Sequence, residues 1–311
     1  MLGIITVVYN QKEFLKDLYD YLCLQSFKDF TLYVVDNNST DGSIDYMKKL
    51  NGEGSLKIKY VLLKDNTGYA GGNNTGANEA FKDGCNYLFI LNPDVYLEPN
   101  CINELSGIFE KNKNTLAAAP LILRDKNTMP EIIQEFGGKV NYKRGTVEKY
   151  FTGKNINEAK LPEIVETDFI SGAACFIKTD VFMKAGMFEE KYFAYFDEID
   201  LLSRINKIFK GKMFASSKAK LWHNHKWEKN KRESYYFEYY LTERNKFLYF
   251  RKFKLYLSMI ISLCSDLIKF PWRMFWFIKV CNFSLCIYYI RGMAAGLFNK
   301  SGKPHFRFLD K

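Results

Sequence analysis

Val34-Val35-Asp36-Asn37-Asn38-Ser39-Thr40-Asp41-Gly42 is the stretch that decides the fold. Residues 31–35 form an apolar, β-branched run that reads as a strand, and the run stops on an acid. Turn formers follow, and Ser39-Thr40-Asp41 supply the side-chain oxygens that cap a short helix over 42–50. The same order recurs on either side. Upstream, residues 2–8 read as a first strand. Residues 12–24 read as a helix, with Phe14, Leu15, Leu18, Tyr19 and Leu22 at helical spacing. Downstream, residues 57–63 give a third strand, 70–82 a helix entered through a Gly/Asn-rich loop, and 87–91 a fourth strand. Strands alternating with helices predict an α/β fold, a mostly parallel sheet with helices on both faces. Ligands of such sheets sit beyond the carboxyl ends of the strands.

Past residue 100 the pattern loosens. Residues 131–166 mix Gly, Lys and Asn and read as an irregular excursion over the site. Residues 168–177 read as another strand. A helix is predicted over 198–209, with Ile199, Leu202, Ile205 and Phe209 on one face, and a long aromatic-rich helix over 235–250. Division near residue 250 separates a catalytic domain, 1–250, from a C-terminal amphipathic helical region, 251–311. There, residues 255–265 and 280–290 are uncharged runs of eleven, too short for the ~20 residues that cross a bilayer as a helix. Trp272 and Trp276 lie beside Lys269, Arg273 and Lys279, with Asp266 also in the interval. Aromatics next to cations build interfacial helices, so contact with an anionic membrane surface is expected; a helical subdomain with a buried aromatic face is the alternative.

The chain has 311 residues, 47% hydrophobic and 26% charged, which excludes a disordered chain and allows a large core. A formal charge of +10 suits anionic lipid, a pyrophosphate-bearing substrate or nucleic acid, and also a general basic bias, without choosing among them. Seven cysteines, an odd number with no C-x-x-C, point to reduced thiols in a cytosolic setting, with neither a disulfide framework nor a zinc site. The start, Leu2 onward, lacks the basic segment of an export signal.

Chemistry gathers at the strand ends: Thr6-Val7-Val8-Tyr9-Asn10, the Asp36 segment, Asn66-Thr67-Gly68-Tyr69-Ala70-Gly71-Gly72-Asn73-Asn74-Thr75-Gly76, and Leu91-Asn92-Pro93-Asp94. Each has a plain structural use as a turn, a cap or a strand stop. Together, four polar ends on one sheet edge describe a nucleotide site. The Gly-rich loop reads G-x-x-G-G-x-x-x-G after the third strand. It is therefore neither the dinucleotide fingerprint, which follows the first strand, nor a P-loop.

The ordered set T-V-V-Y-N, V-V-D-N-N-S-T-D-G-S, N-T-G-Y-A-G-G-N-N-T-G, L-N-P-D-V, I-S-G-A-A-C-F-I, F-D-E-I-D-L-L-S-R-I and L-W-H-N-H resembles the family 2 glycosyltransferases of GT-A fold, and most of all their bacterial rhamnosyltransferase branch. The likeness runs over residues 2 to 250. It implies that Asp36, with Thr6, Tyr9 and Asn10, meets the donor nucleotide, and that Asn66, Gly68, Gly72 and Asn73 contact the nucleotide-sugar. Asn92-Pro93-Asp94 stands where the family has a D-x-D metal motif, which leaves Asp94 as the main carboxylate for Mg2+ or Mn2+. Glu198 aligns with the family's general base and Asp197 is the reserve, because Asp197-Glu198 replaces Glu-Asp. A histidine near His223 or His225 approaches the metal or diphosphate in related enzymes; a surface pair is the other reading. Gly172 marks a close backbone approach near the acceptor, and Asp200 with Arg204 forms a structural i,i+4 pair.

The expectation is an inverting, metal-dependent sugar transfer from a dTDP- or UDP-sugar, first of all dTDP-rhamnose, to a lipid-linked glycan in cell-surface polysaccharide or O-antigen assembly. The enzyme would sit peripherally on the cytoplasmic face of the plasma membrane, with no nucleic-acid partner and an oligomeric state that the sequence does not reveal. A nucleotidyltransferase would need a basic phosphate-binding loop after the first strand, for which Gln11-Lys12 is poor support. An inactive binding module would not need Asp94 and Glu198.

Overall fold

A computed structural model describes residues 1–52, 54–224, 231–279 and 283–306, the side chains at 231–234 and 278 excepted. The first half alternates as the sequence predicts: β1 (Leu2–Val8), α1 (Lys12–Cys23), β2 (Phe30–Asp36), α2 (Ser43–Leu50), β3 (Ile58–Leu62), α3 (Gly68–Lys82) and β4 (Tyr87–Leu91). There follow β5 (Val95–Leu97), α4 (Cys101–Lys111), β6 (Thr115–Leu123), β7 (Ile133–Glu135), β8 (Gly138–Asn141), β9 (Thr146–Lys149), β10 (Ile164–Glu166), β11 (Ala174–Lys178), α5 (Thr179–Lys184) and a 3-10 turn, Glu190–Tyr192. The chain continues through α6 (Asp197–Ile208), β12 (Lys212–His223), α7 (Lys231–Lys252), α8 (Tyr256–Lys279) and α9 (Phe283–Leu297).

The main sheet runs β10-β12-β6-β11-β4-β1-β2-β3, with β5 paired to β12 and β7 to β6. Strands β3, β2, β1 and β4 are parallel. Beyond them β11 runs antiparallel to both β4 and β6, while β12 returns parallel to β6. Alternate side chains of β1 feed two cores. Ile4 and Val8 pack with α1 and α4, and Ile5 packs with α3, α5 and α6. The Gly-rich face of α3 lets that helix lie close on β1: a Cβ at Gly72 would come within 2.6 Å of Val7.

Three stretches differ from expectation. The loosening past residue 100 hides α4 and the nine-residue β6. β6 lies mid-sheet with both faces buried, Ala118 and Ile122 to one core and Ala117, Ala119, Leu121 and Leu123 to the other. Three alanines and Pro120 give it weak strand character, and Pro120 sits where the β6–β12 register jumps from Ser216 to Lys220, a place that tolerates a missing N–H. The strand expected over 168–177 begins at Ala174; its first half is a loop carrying Ser171 and Gly172. The excursion over 131–166 contains β7, the β8–β9 hairpin and β10.

The C-terminal helices pack on α7 and the 3-10 turn through Tyr192, Phe247, Leu248, Tyr249 and Phe250, with Met259, Leu263, Met293 and Leu297 against them. On α8 many outward residues are apolar: Leu257 is 71% exposed, Ile268 75%, Trp272 78% and Phe275 67%. Asp266 is buried on the inner side, ion-paired with Lys246 at 2.6 Å and Arg273 at 3.1 Å. No helix among the described residues is long and apolar enough to cross a membrane.

Candidate active site

The carboxyl ends of β1 and β2 are tied to each other and to the entrance of α3. Asn10 takes a left-handed conformation (φ 52°); its N–H donates to Ser39 Oγ at 3.0 Å and its Oδ1 accepts from Thr40 N at 2.8 Å. Tyr9, half-buried, precedes it. Asp36 is buried and accepts from Ser39 N at 3.1 Å. Thr6 is fully buried one turn of pleat earlier, and its hydroxyl has no hydrogen-bond partner among the described residues. Asn37 reaches across to the Gly-rich loop, donating to Gly68 O at 2.9 Å and accepting from Thr67 N at 3.2 Å. Asn66 Oδ1 accepts from Gly68 N at 2.9 Å. Gly68 has φ +76°, and a Cβ there would lie 2.3 Å from Phe193 O, so both the turn and the approach of the 193–196 loop demand glycine. Gly72 faces Val7 inside, and Asn73, buried, donates back to Tyr69 O at 2.9 Å.

The next strand end forms a second cluster. β5 pairs with β12 so that Val95 stands opposite His223, which brings the side chain of Asp94 to that histidine. Both are buried, with Asp94 Oδ1 3.3 Å from His223 Nε2. Asn92 Nδ2 lies 3.5 Å from the same nitrogen, and Gln134 Nε2 lies 3.0 Å from His223 Nδ1. Burial works against the imidazolium, but the carboxylates of Asp94 and Glu135 outweigh it and raise the His223 pKa. Among the described residues no group of three or more His, Cys, Asp or Glu side chains forms a complete metal cage. An oxygen and a nitrogen 3.3 Å apart nonetheless fit neighbouring positions on one octahedral ion, whose ligands at 2.0–2.1 Å stand about 3 Å from each other. Such an ion is usually completed by substrate phosphates and water. His225 lies outside the described residues.

Glu198 stands on the first turn of α6. The loop before it is strained: Phe193, Tyr195 and Phe196 have φ of 69°, 65° and 71°, a region that L side chains rarely adopt. Two neighbouring residues of α7 hold this loop. Asn245 Nδ2 lies 3.0, 2.8 and 2.9 Å from the carbonyls of Tyr192, Ala194 and Tyr195. Buried Arg244 donates to Tyr192 O and Gly302 O, both at 2.7 Å. Asp200 locks α6 from below through Arg204 at 2.6 Å, Lys252 at 2.8 Å and the Tyr192 hydroxyl at 3.2 Å. The predicted i,i+4 pair is thus one part of a larger anchor.

The result is a fully buried Asp197 and a half-buried Glu198. Glu198 Oε1 accepts from Gly172 N at 3.1 Å, and Tyr69 donates to Gly172 O at 2.8 Å. A Cβ at residue 172 would meet Glu198 Oε1 at 2.5 Å, which explains the glycine. Burial raises the Glu198 pKa, with help from Glu135. Asp197 is pushed further, well above the carboxylate range, by burial and by Glu198, while Arg244 opposes the shift.

Sequence reasoning missed Gln134, Glu135, Lys149, Arg244 and Asn245. The first three lie in the irregular excursion, and the last two read as the polar face of a helix; a neighbouring Arg-Asn pair within an aromatic helix was the available signal.

A family model described as "Glycosyl transferase family 2" matches residues 3–178. Among curated proteins, the low-salt glycan biosynthesis hexosyltransferase Agl10 of Haloferax volcanii is 26% identical over 97% of this chain and 93% of its own length. N-acetylglucosaminyl-diphospho-decaprenol L-rhamnosyltransferase of Mycobacterium tuberculosis is 23% identical over 67% of this chain and 71% of its own. Of solved structures, the mannosyltransferase PcManGT from Pyrobaculum calidifontis, in complex with GDP-Man and Mn2+, superposes with a TM-score of 0.60 at 12% identity, over 96% of this chain and 87% of that one. The chain spans 65% of a solved chain of S. aureus TarS 1-349, at a TM-score of 0.52 and 15% identity. The shared architecture is the GT-A fold.

Proposed function

The chain belongs to glycosyl transferase family 2 and is a glycosyltransferase that uses a nucleotide-sugar, and from that premise we propose that it is an inverting hexosyltransferase in which Glu198 is the general base and Asp94 with His223 holds a divalent metal. The observation that carries this reading is the pairing of two clusters at one sheet edge: an Asp94–His223 pair at 3.3 Å, and a half-buried Glu198 aligned by Gly172 at 3.1 Å. The acceptor hydroxyl gives its proton to a Glu198 oxygen as its own oxygen bonds to the anomeric carbon, and the bond from that carbon to the diphosphate oxygen breaks on the opposite side. Asp36, with Thr6, Tyr9 and Asn10, receives the nucleoside, while Asn66 and Gly68 shape the loop along the diphosphate. Gly72 and Asn73 support that loop from inside α3. Asn92 orients His223. A bound Mg2+ or Mn2+ would act as a Lewis acid on the leaving diphosphate. A raised Glu198 pKa suits a base that works near neutral pH.

The donor is a dTDP- or UDP-sugar, with dTDP-rhamnose first, and the acceptor is a lipid-linked glycan of cell-surface polysaccharide or O-antigen synthesis. The decaprenol-linked rhamnosyltransferase among the relatives supports both choices. Residues 1–250 are the catalytic domain, and 251–311 rest on the cytoplasmic face of the plasma membrane. Support for this placement comes from the exposed Leu257, Ile268, Trp272 and Phe275, flanked by exposed Lys269 and Lys279, and from the inward-facing Asp266.

The test is a thermal-shift screen of the full chain against UDP-, GDP- and dTDP-sugars with Mn2+ or Mg2+, followed by assay of slow donor hydrolysis. A metal-dependent shift by one nucleotide-sugar, with release of its nucleoside diphosphate, is expected. Failure of every donor to shift the protein, with either metal, would refute the reading.

A further inference from the structure

The excursion over the sheet carries a carboxylate that the mechanism above does not use. Glu135, the last residue of β7, is buried, and its Oε1 is ion-paired to Lys149 of β9. Its Oε2 is also buried and has no hydrogen-bond partner among the described residues. The residue before it, Gln134, touches His223. The Glu135 charge acts on both His223 and Glu198, and Lys149 acts on both in the opposite sense. A buried acid with an unsatisfied oxygen is costly unless something supplies a donor. This one stands within electrostatic reach of both the metal-side histidine and the proposed base, the two groups that bracket the sugar being transferred.

We propose that Glu135, ion-paired with Lys149 through one oxygen, accepts a hydrogen bond on the other from a hydroxyl of the transferred sugar and so helps select the donor. The proposal rests on the reading of the site as a nucleotide-sugar site. A hexose arrives with several hydroxyls, whereas the metal and diphosphate offer Glu135 no proton to accept. Lys149 fits the same role: it fixes one oxygen and leaves the other for the ligand. The β7 and β9 strands that carry the pair lie outside the parallel half of the sheet, so the sugar-reading group can vary without disturbing the nucleotide site.

The experiment uses the full chain, Mn2+, and the nucleotide-sugar that most stabilises the wild type among UDP-, GDP- and dTDP-sugars, with the matching nucleoside diphosphate as control. Glu135→Gln keeps the side-chain volume and removes the charge. Its dissociation constant for the nucleotide-sugar should rise about 10–100-fold, the worth of a hydrogen bond to a charged group. Its constant for the nucleoside diphosphate should stay within about 2-fold, a shift under 0.5 kcal/mol. Lys149→Gln should weaken the nucleotide-sugar less and the diphosphate not at all. A donor lacking the contacted hydroxyl should lose affinity for the wild type but not for Glu135→Gln. Equal loss of diphosphate and nucleotide-sugar would place Glu135 at the metal instead. Unchanged affinity for both would make the Glu135–Lys149 pair structural only. If the wild type bound the diphosphate with Mn2+ yet no nucleotide-sugar, the sugar-site reading beneath the proposal would fall first.

Discussion

Replacing Asn245 with alanine tests whether a helix remote from the site places Glu198, the carboxylate proposed as base. The Asn245 amide lies within 3.0 Å of three loop carbonyls. Its two N–H groups can serve two of them fully at once. At roughly 0.5–1.5 kcal/mol net each, the side chain contributes about 1–3 kcal/mol to the loop. Against that stands the strain of Phe193, Tyr195 and Phe196, each left-handed and each costing on the order of 1–3 kcal/mol. Arg244 alone, through Tyr192 O and Gly302 O, does not reach the carbonyls of Ala194 and Tyr195. In Asn245→Ala the loop therefore relaxes, and Glu198 leaves the Gly172 amide for most of the time. A shift of about 2 kcal/mol against the aligned state lowers kcat ~30-fold. The donor KM should change less than kcat, because Asp36, Asp94 and His223 lie off this loop, although Gly68 packs against it. Steady-state donor hydrolysis gives kcat and KM, and a thermal melt reports the stability lost. Asn245→Asp, which presents oxygens to carbonyls, should be at least as damaging. A variant that melts lower but keeps kcat within about 2-fold, a barrier change under 0.5 kcal/mol, would refute the positioning argument.

Asp94→Asn should abolish metal-dependent turnover with the fold intact by circular dichroism; unchanged activity with unchanged metal dependence would remove Asp94 from the metal. Glu198→Gln should lower kcat by on the order of 10²–10⁴ with donor affinity preserved, and the roles of Asp197 and Glu198 exchange if Asp197→Asn is the crippling change. Because burial raises the Glu198 pKa, the acid limb of the wild-type kcat profile should fall above the ordinary glutamate range; a limb at or below it speaks against Glu198 as base. Asp197 also has a raised folded-state pKa, so its contribution to stability is complete below the unfolded value and is lost as pH rises through the folded one. Asp197→Asn should accordingly melt higher than wild type at pH 7, with the gap closing toward acid; a lower melt at pH 7 contradicts this. Full-length protein should float with anionic liposomes, less so at high salt, since Lys269 and Lys279 contribute roughly 1 kcal/mol each near such a surface. A Trp272→Ser, Trp276→Ser double variant should float poorly; equal flotation would move the contact elsewhere, and no flotation of wild type would leave α8 and α9 as an ordinary subdomain.

The parallel half was legible because each strand there ends in polar residues at a turn. Asp36 and the 87–91 strand fall where periodicity places them, and α3 starts only two residues earlier than expected. α4 was also within reach, since Cys101, Ile102, Leu105, Ile108 and Phe109 repeat at helical spacing. β6 was not, because Ala117, Ala118 and Ala119 gain their strand character from neighbours on both faces rather than from their own preferences. For the candidate site, Asp94, Glu198 and His223 are the residues that motifs at element ends point to, and the structure gathers them into the two clusters described above. Glu135 and Lys149 were invisible for the opposite reason: they act across 14 residues and nothing local marks them as inward-facing, while Asn245, which reaches about 50 residues back, left only the Arg-Asn pair within an aromatic helix as a sign.

The inward Asp266 has a consequence for how the molecule can stand on a surface. A helix with a uniform apolar coat could roll about its axis and still bury the same area. α8 cannot, because rolling would drag Asp266 away from Lys246 and Arg273 and leave a bare carboxylate at the lipid boundary. The ion-paired acid therefore works as a rotational stop: one side of α8 stays exposed, the side that would meet lipid, and the opposite side stays bolted to α7. Since α7 also carries Arg244 and Asn245, the angle at which the enzyme meets a bilayer would fix the direction in which Glu198 faces, and so the height above the lipid at which an acceptor hydroxyl must be presented.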